Sequence, residues 1–581
     1  MINYFLKTAA LTVVLSLAAS GASTLSPDLV SLATSATSSS ASANAAASDS
    51  GNVNASTSIN VVVQYRQAPG TTQTQRMTSY GGTLNTSLGL VNGGVYSIPV
   101  SSLKLLAADP DVVYISPDRP VKGALDYAPS AVNANIAYMY GWTGAGIGVA
   151  VIDSGMTSQT DLKTGTAPRV VYSQSFVAGT PSTSDGYGHG NHVAGIVAGN
   201  GASSTGAAYF KTFRGIAPQA NIINLRVLDN NGAGTDSAVI AAIQQAIALK
   251  SQYNIRVINL SLGRPVQESY LNDPLCQAVE QAWKAGLVVV VAAGNSGRDN
   301  TQGTNGYGTI TSPGNDPYVI TVGAMKTMGT ATRADDLIAS YSSKGPTLLD
   351  HIVKPDLVAP GNQIVSLYTA SGTLETLYPQ VLLPLTYYKS SNNSGNSTSY
   401  IRLSGTSMAT PVVSGAAALL LQQNSRLTPD QVKARLMKTA TKNFPVSSTA
   451  TDPTTGLTYT SYYDLFTIGA GYLDVWAALN NSDSLPTWTS ALSPTAVYNA
   501  TTGQVSVVNA ANVVWGTNVV WGTNVVWGTN VLSGANVVWG TNVVWGTSGT
   551  QAFNVVWGTN VVWGTGQTSG ESSSIAINGE Q

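Results

Sequence analysis

The sequence predicts an α/β protein: a mostly parallel sheet flanked by helices, preceded by a small α+β unit and followed by a repeat tail that is β-rich or disordered. Three observations predict it. Between residues 148 and 322, short apolar runs alternate with helical patterns, as in a parallel sheet with crossover helices. Residues 58–121 hold a smaller set of strand and helix patterns. From Asn512 onward the hexapeptide Asn-Val-Val-Trp-Gly-Thr recurs at fixed spacing.

The first 22 residues read as a secretory signal. Lys7 supplies the positive charge, Ala9 to Ala19 a short apolar core, and Ala19-Ser20-Gly21-Ala22 a small-residue cleavage site. That core is well short of the ~20 apolar residues of a spanning helix. Residues 23–57, rich in Ser, Ala and Thr, read as a linker. In the small unit, Ile59–Tyr65, Gly93–Val100 and Val112–Ile115 read as strands and Ser101–Ala108 as a short amphipathic helix.

The main domain is expected over 122–480, with strands at Gly148–Ile152, Asn221–Val227, Val257–Leu260, Leu287–Ala292 and Val319–Val322. Val239, Ile240, Ile243, Ala246 and Ile247 recur at helical spacing after Asp236, which is read as the N-cap. Cys276 is the only cysteine, so no intramolecular disulfide forms; it reads as a half-buried residue of a helix after Pro274. A linker follows over 481–511, without charge from Ser484 onward, then the hexapeptide copies over 512–565 and a polar tail over 566–581. Seven of the 11 tryptophans lie in the copies, and the even period puts each Val-x-Trp pair on one face of an extended chain.

Charge excludes one class of function. Only 9% of the 581 residues are charged and the net charge is −1, so no basic field attracts nucleic acid.

Three segments carry chemistry. In Val149-Ala150-Val151-Ile152-Asp153-Ser154-Gly155 an apolar strand ends in an acid and a glycine turn. Asp153 therefore emerges at the carboxyl edge of the sheet, where open α/β proteins place their sites. Asp185-Gly186-Tyr187-Gly188-His189-Gly190-Asn191-His192 sets His189 between glycines at the start of a helix. Only three histidines exist, and a base that works near neutral pH is most naturally one of them. His192 reads as packed inside the helix and His351 as a loop residue. In Ser404-Gly405-Thr406-Ser407-Met408-Ala409-Thr410-Pro411, Ser407 opens a helix running to about Leu421. A hydroxyl beside free N–H groups suits a nucleophile whose product is an oxyanion. Met408, beside it, is expected to be open to small oxidants.

Together these segments resemble the subtilisin family (subtilases), in that family's chain order Asp, His, Ser. Asn259-Leu260-Ser261-Leu262-Gly263 resembles its substrate-pairing strand, and Val291-Ala292-Ala293-Gly294-Asn295-Ser296-Gly297 its oxyanion segment. Tyr341–Pro346 and Lys354–Gly361 are also family-like, and the resemblance spans roughly 125–480. It implies a serine endopeptidase with Ser407 as nucleophile, His189 as base, Asp153 orienting the histidine and Asn295 in the oxyanion hole. It also implies substrate binding by Ser261, Leu262, Gly263, Ala293 and Gly294, and an inhibitory propeptide at 58–121. The chemistry requires no cofactor; structural calcium is left unassigned, Asp161 lying near one ligand position of the family.

This sequence departs from the family at Asn191, where Thr is usual, and at Arg264, which is expected to charge the edge of the specificity pocket. Expected partners are protein or peptide substrates, the propeptide, and a cell surface or carbohydrate met by the Trp repeats. Truncation after about Asn481 is expected to leave peptide hydrolysis intact, because the last family-like segment, Gly469–Asp474, precedes it. Two other readings are a pseudoenzyme displaying the repeats and a surface protein whose repeats form a β-solenoid; a serine-directed phosphonate separates both from an enzyme.

Overall fold

The structure, a computed structural model, describes residues 24–26, 29–30, 33, 58–117, 127–301, 303–390, 395–452, 455–483, 485–499, 504–508, 526–527, 537–538 and 575–580. The signal segment and nearly all of the hexapeptide copies lie outside them. The chain divides into two units, Met1–Val121 and Lys122–Gln581.

In the first unit, Val61, Val63 and Tyr65 recur at every second position and share the buried face of strand Ser58–Tyr65. That strand pairs antiparallel with Gly93–Pro99 and Val112–Pro117, and Thr83–Leu88 adds a fourth strand. Helix Thr71–Ser79 and strand Thr83–Leu88 have no apolar period to announce them: Met77 is the one buried residue of the helix, and the strand is exposed along most of its length. The expected helix at 101–108 is a 3₁₀ turn, Val100–Ser102, followed by α-helix Leu103–Ala107. Part of the presumed linker joins this unit. The Ile115 N–H donates to the Thr24 carbonyl at 2.8 Å, and Leu25, Leu29 and Ala33 are buried in the same core.

The second unit is built on an eight-stranded sheet. Its strands are β1 (Gly148–Asp153), β2 (Val170–Ser175), β3 (Asn221–Arg226), β4 (Ile255–Leu260), β5 (Val288–Ala292), β6 (Ile320–Lys326), β7 (Leu337–Ile338) and β8 (Leu357–Pro360). The order is β7-β6-β5-β4-β1-β3-β2, with β8 also on β6. Every pairing is parallel except β6–β7. Helices α1 (His189–Ala198), α2 (Asp236–Leu249), α3 (Pro274–Lys284), α4 (Thr406–Gln423) and α5 (Pro429–Thr439) flank it, giving the expected α/β architecture. All of β1, β5 and β6 is buried, which explains their unbroken apolar reading. β2 was not expected, because it alternates between partly buried and exposed residues and includes Ser, Gln and Tyr.

Two local readings change. The N-cap of α2 is Thr235, whose side chain accepts from the Ala238 N–H; Asp236 lies in the first turn. Cys276 is fully buried rather than half-buried.

Packing also continues past Asn480. Asp356, just before β8, is buried with two lysines that are 0% exposed: its Oδ2 lies 2.7 Å from Lys354 Nζ and its Oδ1 3.2 Å from Lys433 Nζ. Ser493 Oγ donates to that same Oδ1 at 2.5 Å, and Leu485 and Ala491 are buried in the main core. A truncation after Asn481 therefore removes packed residues of the second unit, which extends past the boundary at 480 expected from the motifs. Replacing the carboxylate leaves two buried ammonium groups without their shared counter-ion. We expect Asp356→Ala to cost about 3–5 kcal/mol in denaturant unfolding; a loss under about 0.5 kcal/mol, the size of an ordinary surface change, would show that the cluster does not hold this region.

Candidate active site

The carboxyl ends of β1, β4 and β5 open on one edge of the sheet; Asp153 is the last residue of β1, Ser261 follows β4 directly and Asn295 lies three residues past β5. Asp153 is 1% exposed. Its Oδ1 lies 2.7 Å from His189 Nδ1 and accepts the Ser154 N–H at 2.7 Å. A carboxylate only accepts, so Nδ1 carries the ring proton and Nε2 is left as the basic nitrogen. Burial acts to lower the pKa of His189, but the Asp153 charge and hydrogen bond outweigh it and hold the pKa above the ordinary value.

The loop that presents His189 is pinned by Asp185, a residue within the quoted motif that no sequence pattern singled out. Its buried carboxylate accepts from the Gly188, Tyr187 and Asn191 N–H groups and from Ser154 Oγ, which in turn accepts from Gly190 N–H. Burial, despite those donors, moves its pKa up. Gly188 has φ 101°, and a Cβ there would meet the buried carboxyl of Glu375 at 2.3 Å. Burial pushes Glu375 up to about 7. Asn191 uses both ends of its amide: its Oδ1 accepts from Thr157 N–H and its Nδ2 donates to Thr369 Oγ1.

Ser407 is the second residue of α4, and its hydroxyl donates to the Ser261 carbonyl at 3.1 Å. The Ser407 carbonyl accepts from Ser261 Oγ at 2.7 Å, so the two loops are cross-linked. Asn295 Oδ1 accepts from the Thr406 N–H at 2.9 Å and from Thr406 Oγ1 at 3.0 Å. A backbone N–H can only donate, so the oxygen of the amide must face Thr406 and Nδ2 must face away. A Cβ built on Gly405 would lie 3.2 Å from Asn295 Nδ2 and 3.7 Å from Ser407 N. Both donors therefore border the space that Gly405, at φ 142°, leaves open.

Leu262 and Gly263 follow β4 with no hydrogen-bond partner for their backbone groups among the described residues. Across from them, Gly294 has φ 106° and its N–H donates to Thr406 Oγ1 at 3.1 Å, while Ala293 is buried and bonded to β6 through Val322. Thr311 lies between the two walls. A Cβ on Gly263 would meet its Oγ1 at 2.6 Å, and a Cβ on Gly294 its Cγ2 at 2.9 Å. No sequence pattern marked Thr311. Arg264 does not charge the pocket edge as expected, because Asp236 and Asp273 both pair with it at 2.9 Å.

The other histidines are set apart. His192 is fully buried, with Nε2 3.0 Å from the Ile364 carbonyl, and burial together with His189 pushes it down to about 3. His351 lies in a loop at φ 53°, its pKa lowered by burial. Cys276 is also no nucleophile, since burial pushes its thiol far up. Met408, expected to be open to oxidants, is 1% exposed.

Asp161 does not suit a calcium ion. Its Oδ1 accepts from Ser203 N–H at 2.7 Å and its Oδ2 from Tyr400 OH at 2.6 Å. The carbonyls of Asp161 and Ala198 converge on the buried Arg169 guanidinium, so these oxygens are already committed to a cation of the chain itself. Among the described residues no group of three or more His, Cys, Asp or Glu side chains is arranged to hold a metal.

The subtilase family profile matches residues 144–457, more than half of the chain. Serine protease AprX of Bacillus subtilis is 41% identical over 57% of this chain and 69% of its own length. Subtilisin DY of Bacillus licheniformis is 37% identical over 54% of this chain and 91% of its own. Subtilisin E of Bacillus subtilis is 33% identical over 62% and 78%. The chain belongs to the subtilase family and is a subtilisin-type serine endopeptidase.

Proposed function

We propose that this endopeptidase is secreted as a self-processing precursor, with Ser407 as nucleophile, His189 as general base and acid, Asp153 orienting His189, and Asn295 as an oxyanion donor. The 2.7 Å bond between Asp153 and His189 carries the assignment, since it leaves Nε2 basic in a chain with three histidines. Ser407 Oγ turns from the Ser261 carbonyl, attacks the scissile carbonyl carbon and gives its proton to Nε2. The carbonyl oxygen takes the displaced electron pair and is held by Asn295 Nδ2 and the Ser407 N–H. Collapse breaks the C–N bond, Nε2 returns the proton to the amine, and water releases the acyl group by the same route.

Ser261, Leu262, Gly263, Ala293 and Gly294 bind the substrate backbone and the side chain preceding the cut. No metal or organic cofactor takes part in the chemistry. The unit at 58–121 serves as the inhibitory propeptide, and the Trp repeats attach the enzyme to a cell surface or to carbohydrate. Secretion rests on the signal-like N-terminus. Among the described residues no helix is long and apolar enough to cross a membrane.

Three measurements test this reading. Removal of a subtilisin oxyanion donor lowers kcat about 10²–10³-fold, and Asn295→Ala should do the same with KM nearly unchanged. Asn295→Asp, which cannot donate, should be no better; near-wild-type kcat in it would remove Asn295 from the mechanism.

The neutral imidazole is the active form, so kcat/KM should rise with pH through the His189 pKa, above its ordinary ~6.5. Asp153→Asn keeps the burial and deletes the charge. Its acid limb should move below that of the wild type while kcat falls about 10⁴-fold. An unmoved limb would mean that another group titrates.

Ser407→Ala, secreted from a protease-free host, should accumulate as a precursor lacking only its signal, whereas the wild type is cut between about 119 and 127. Mature N-termini in the Ser407→Ala protein would assign the processing to another enzyme.

A further inference from the structure

Residues 575–580 follow the hexapeptide copies and were expected to be part of a polar tail. Instead they form a helical turn, Ile575–Asn578, with Ile575 and Ile577 buried in the main core and Glu580 4% exposed. We propose that this segment fills a built peptide site on the catalytic unit and that Glu580 is a positioning residue for the oxyanion hole. The proposal rests on the reading of Asn295 as an oxyanion donor.

The site is polar and matched group by group. Glu580 Oε2 accepts from Ser340 N–H at 2.8 Å, Ser340 Oγ at 2.6 Å and Arg298 Nη2 at 3.1 Å, and Oε1 lies 2.7 Å from Lys326 Nζ. The Glu580 N–H and carbonyl both bond the side chain of Asn362, at 2.8 and 2.6 Å. Both cations are nearly buried, their side chains 6% and 5% exposed. Arg298 also pairs with Asp452 at 3.0 Å, and Glu580 joins it to the buried Lys326; a carboxylate that bridges two cations in a dry site is not an incidental contact.

The bonds reach both donor loops. Arg298 directly follows Asn295-Ser296-Gly297, and its Nε donates at 2.7 Å to the same Ser340 hydroxyl that Glu580 holds. From Ser340 onward the chain laces that loop: Gly297 N–H bonds Tyr341 O at 2.8 Å, Ser296 N–H bonds Ser343 Oγ at 3.1 Å, and Ser343 N–H bonds Gly294 O at 3.0 Å. On the other side, the Ala576 carbonyl accepts from Ser404 N–H at 2.9 Å, three residues before Ser407. Gly579, at φ 64°, has no room for a side chain, since a Cβ would meet Ser404 Oγ at 2.4 Å. One short segment thus spans the loop carrying Asn295 and the loop carrying Ser407. An oxyanion hole works only while its two donors hold their spacing to within roughly 0.5 Å.

The test uses the full chain, Glu580→Gln, and a chain ending at Gly570 that keeps the repeats. On a short peptide substrate, both altered proteins should show kcat reduced about tenfold or more with KM within about twofold. Adding the peptide Ser-Ile-Ala-Ile-Asn-Gly-Glu-Gln, residues 574–581, should restore kcat of the shorter chain saturably, and the same peptide with Gln for Glu580 should not. Wild-type kcat in folded Glu580→Gln, or equal rescue by both peptides, overturns the proposal. If the shorter chain does not fold, Glu580→Gln decides alone. Glu580→Gln is also measured on Asn295→Ala: the proposal expects little further loss there, and multiplying losses overturn it. An unchanged kcat in Asn295→Ala alone instead removes the oxyanion reading, whatever Glu580→Gln does.

Discussion

A carboxylate withdrawn from water must be met by donors, and this requirement shapes the structure around Asp153. Its Oδ1 takes the Ser154 N–H and the His189 ring proton, and its Oδ2 is buried with no partner among the described residues. The charge is therefore directed at the imidazole rather than spread over solvent. Everything near it serves that contact. Ser154 carries the order outward to Gly190 and Asp185, and Asp185 gathers the backbone of the His189 loop. The close approach of Gly190 to the Gly155 carbonyl, where a Cβ would sit at 2.2 Å, lets α1 begin at the strand end. A larger residue at either point would move the ring from the carboxylate.

The same principle recurs through a chain in which only 9% of residues are charged. Asp356 organises Lys354 and Lys433, Asp161 is satisfied by Ser203 and Tyr400, and Glu580 joins Arg298 to Lys326. In each case a buried charge joins segments far apart in sequence. The low charge content leaves a surface of Ser, Thr, Asn and Gln, and many of the acids sit inside.

The donors assigned in the proposed mechanism are held by the fold. Asn295 spends its oxygen on Thr406, so its amide hydrogens are committed to the side where Ser407 N lies. On the proposed reading both donors are fixed before any substrate arrives, which spares the reorganisation that water would require. The position of Ser407 at the start of an 18-residue buried helix adds the dipole of that helix at low dielectric.

Much of this was legible in the sequence because it is local. The unbroken apolar runs of β1, β5 and β6, the glycines around His189 and the order Asp153, His189, Ser407 are all read from neighbours along the chain. Elements without an apolar period, such as Thr71–Ser79 and β2, left no such trace. What only the tertiary structure decided is how buried polar groups pair across large separations. Arg264 is neutralised by Asp236 and Asp273, Asn295 is oriented by Thr406 111 residues away, and Glu580 meets Ser340 240 residues away. Sequence determines which residues carry charge and which backbone can turn. Folding determines which of those charges share one dry space, because that depends on where distant segments come to rest.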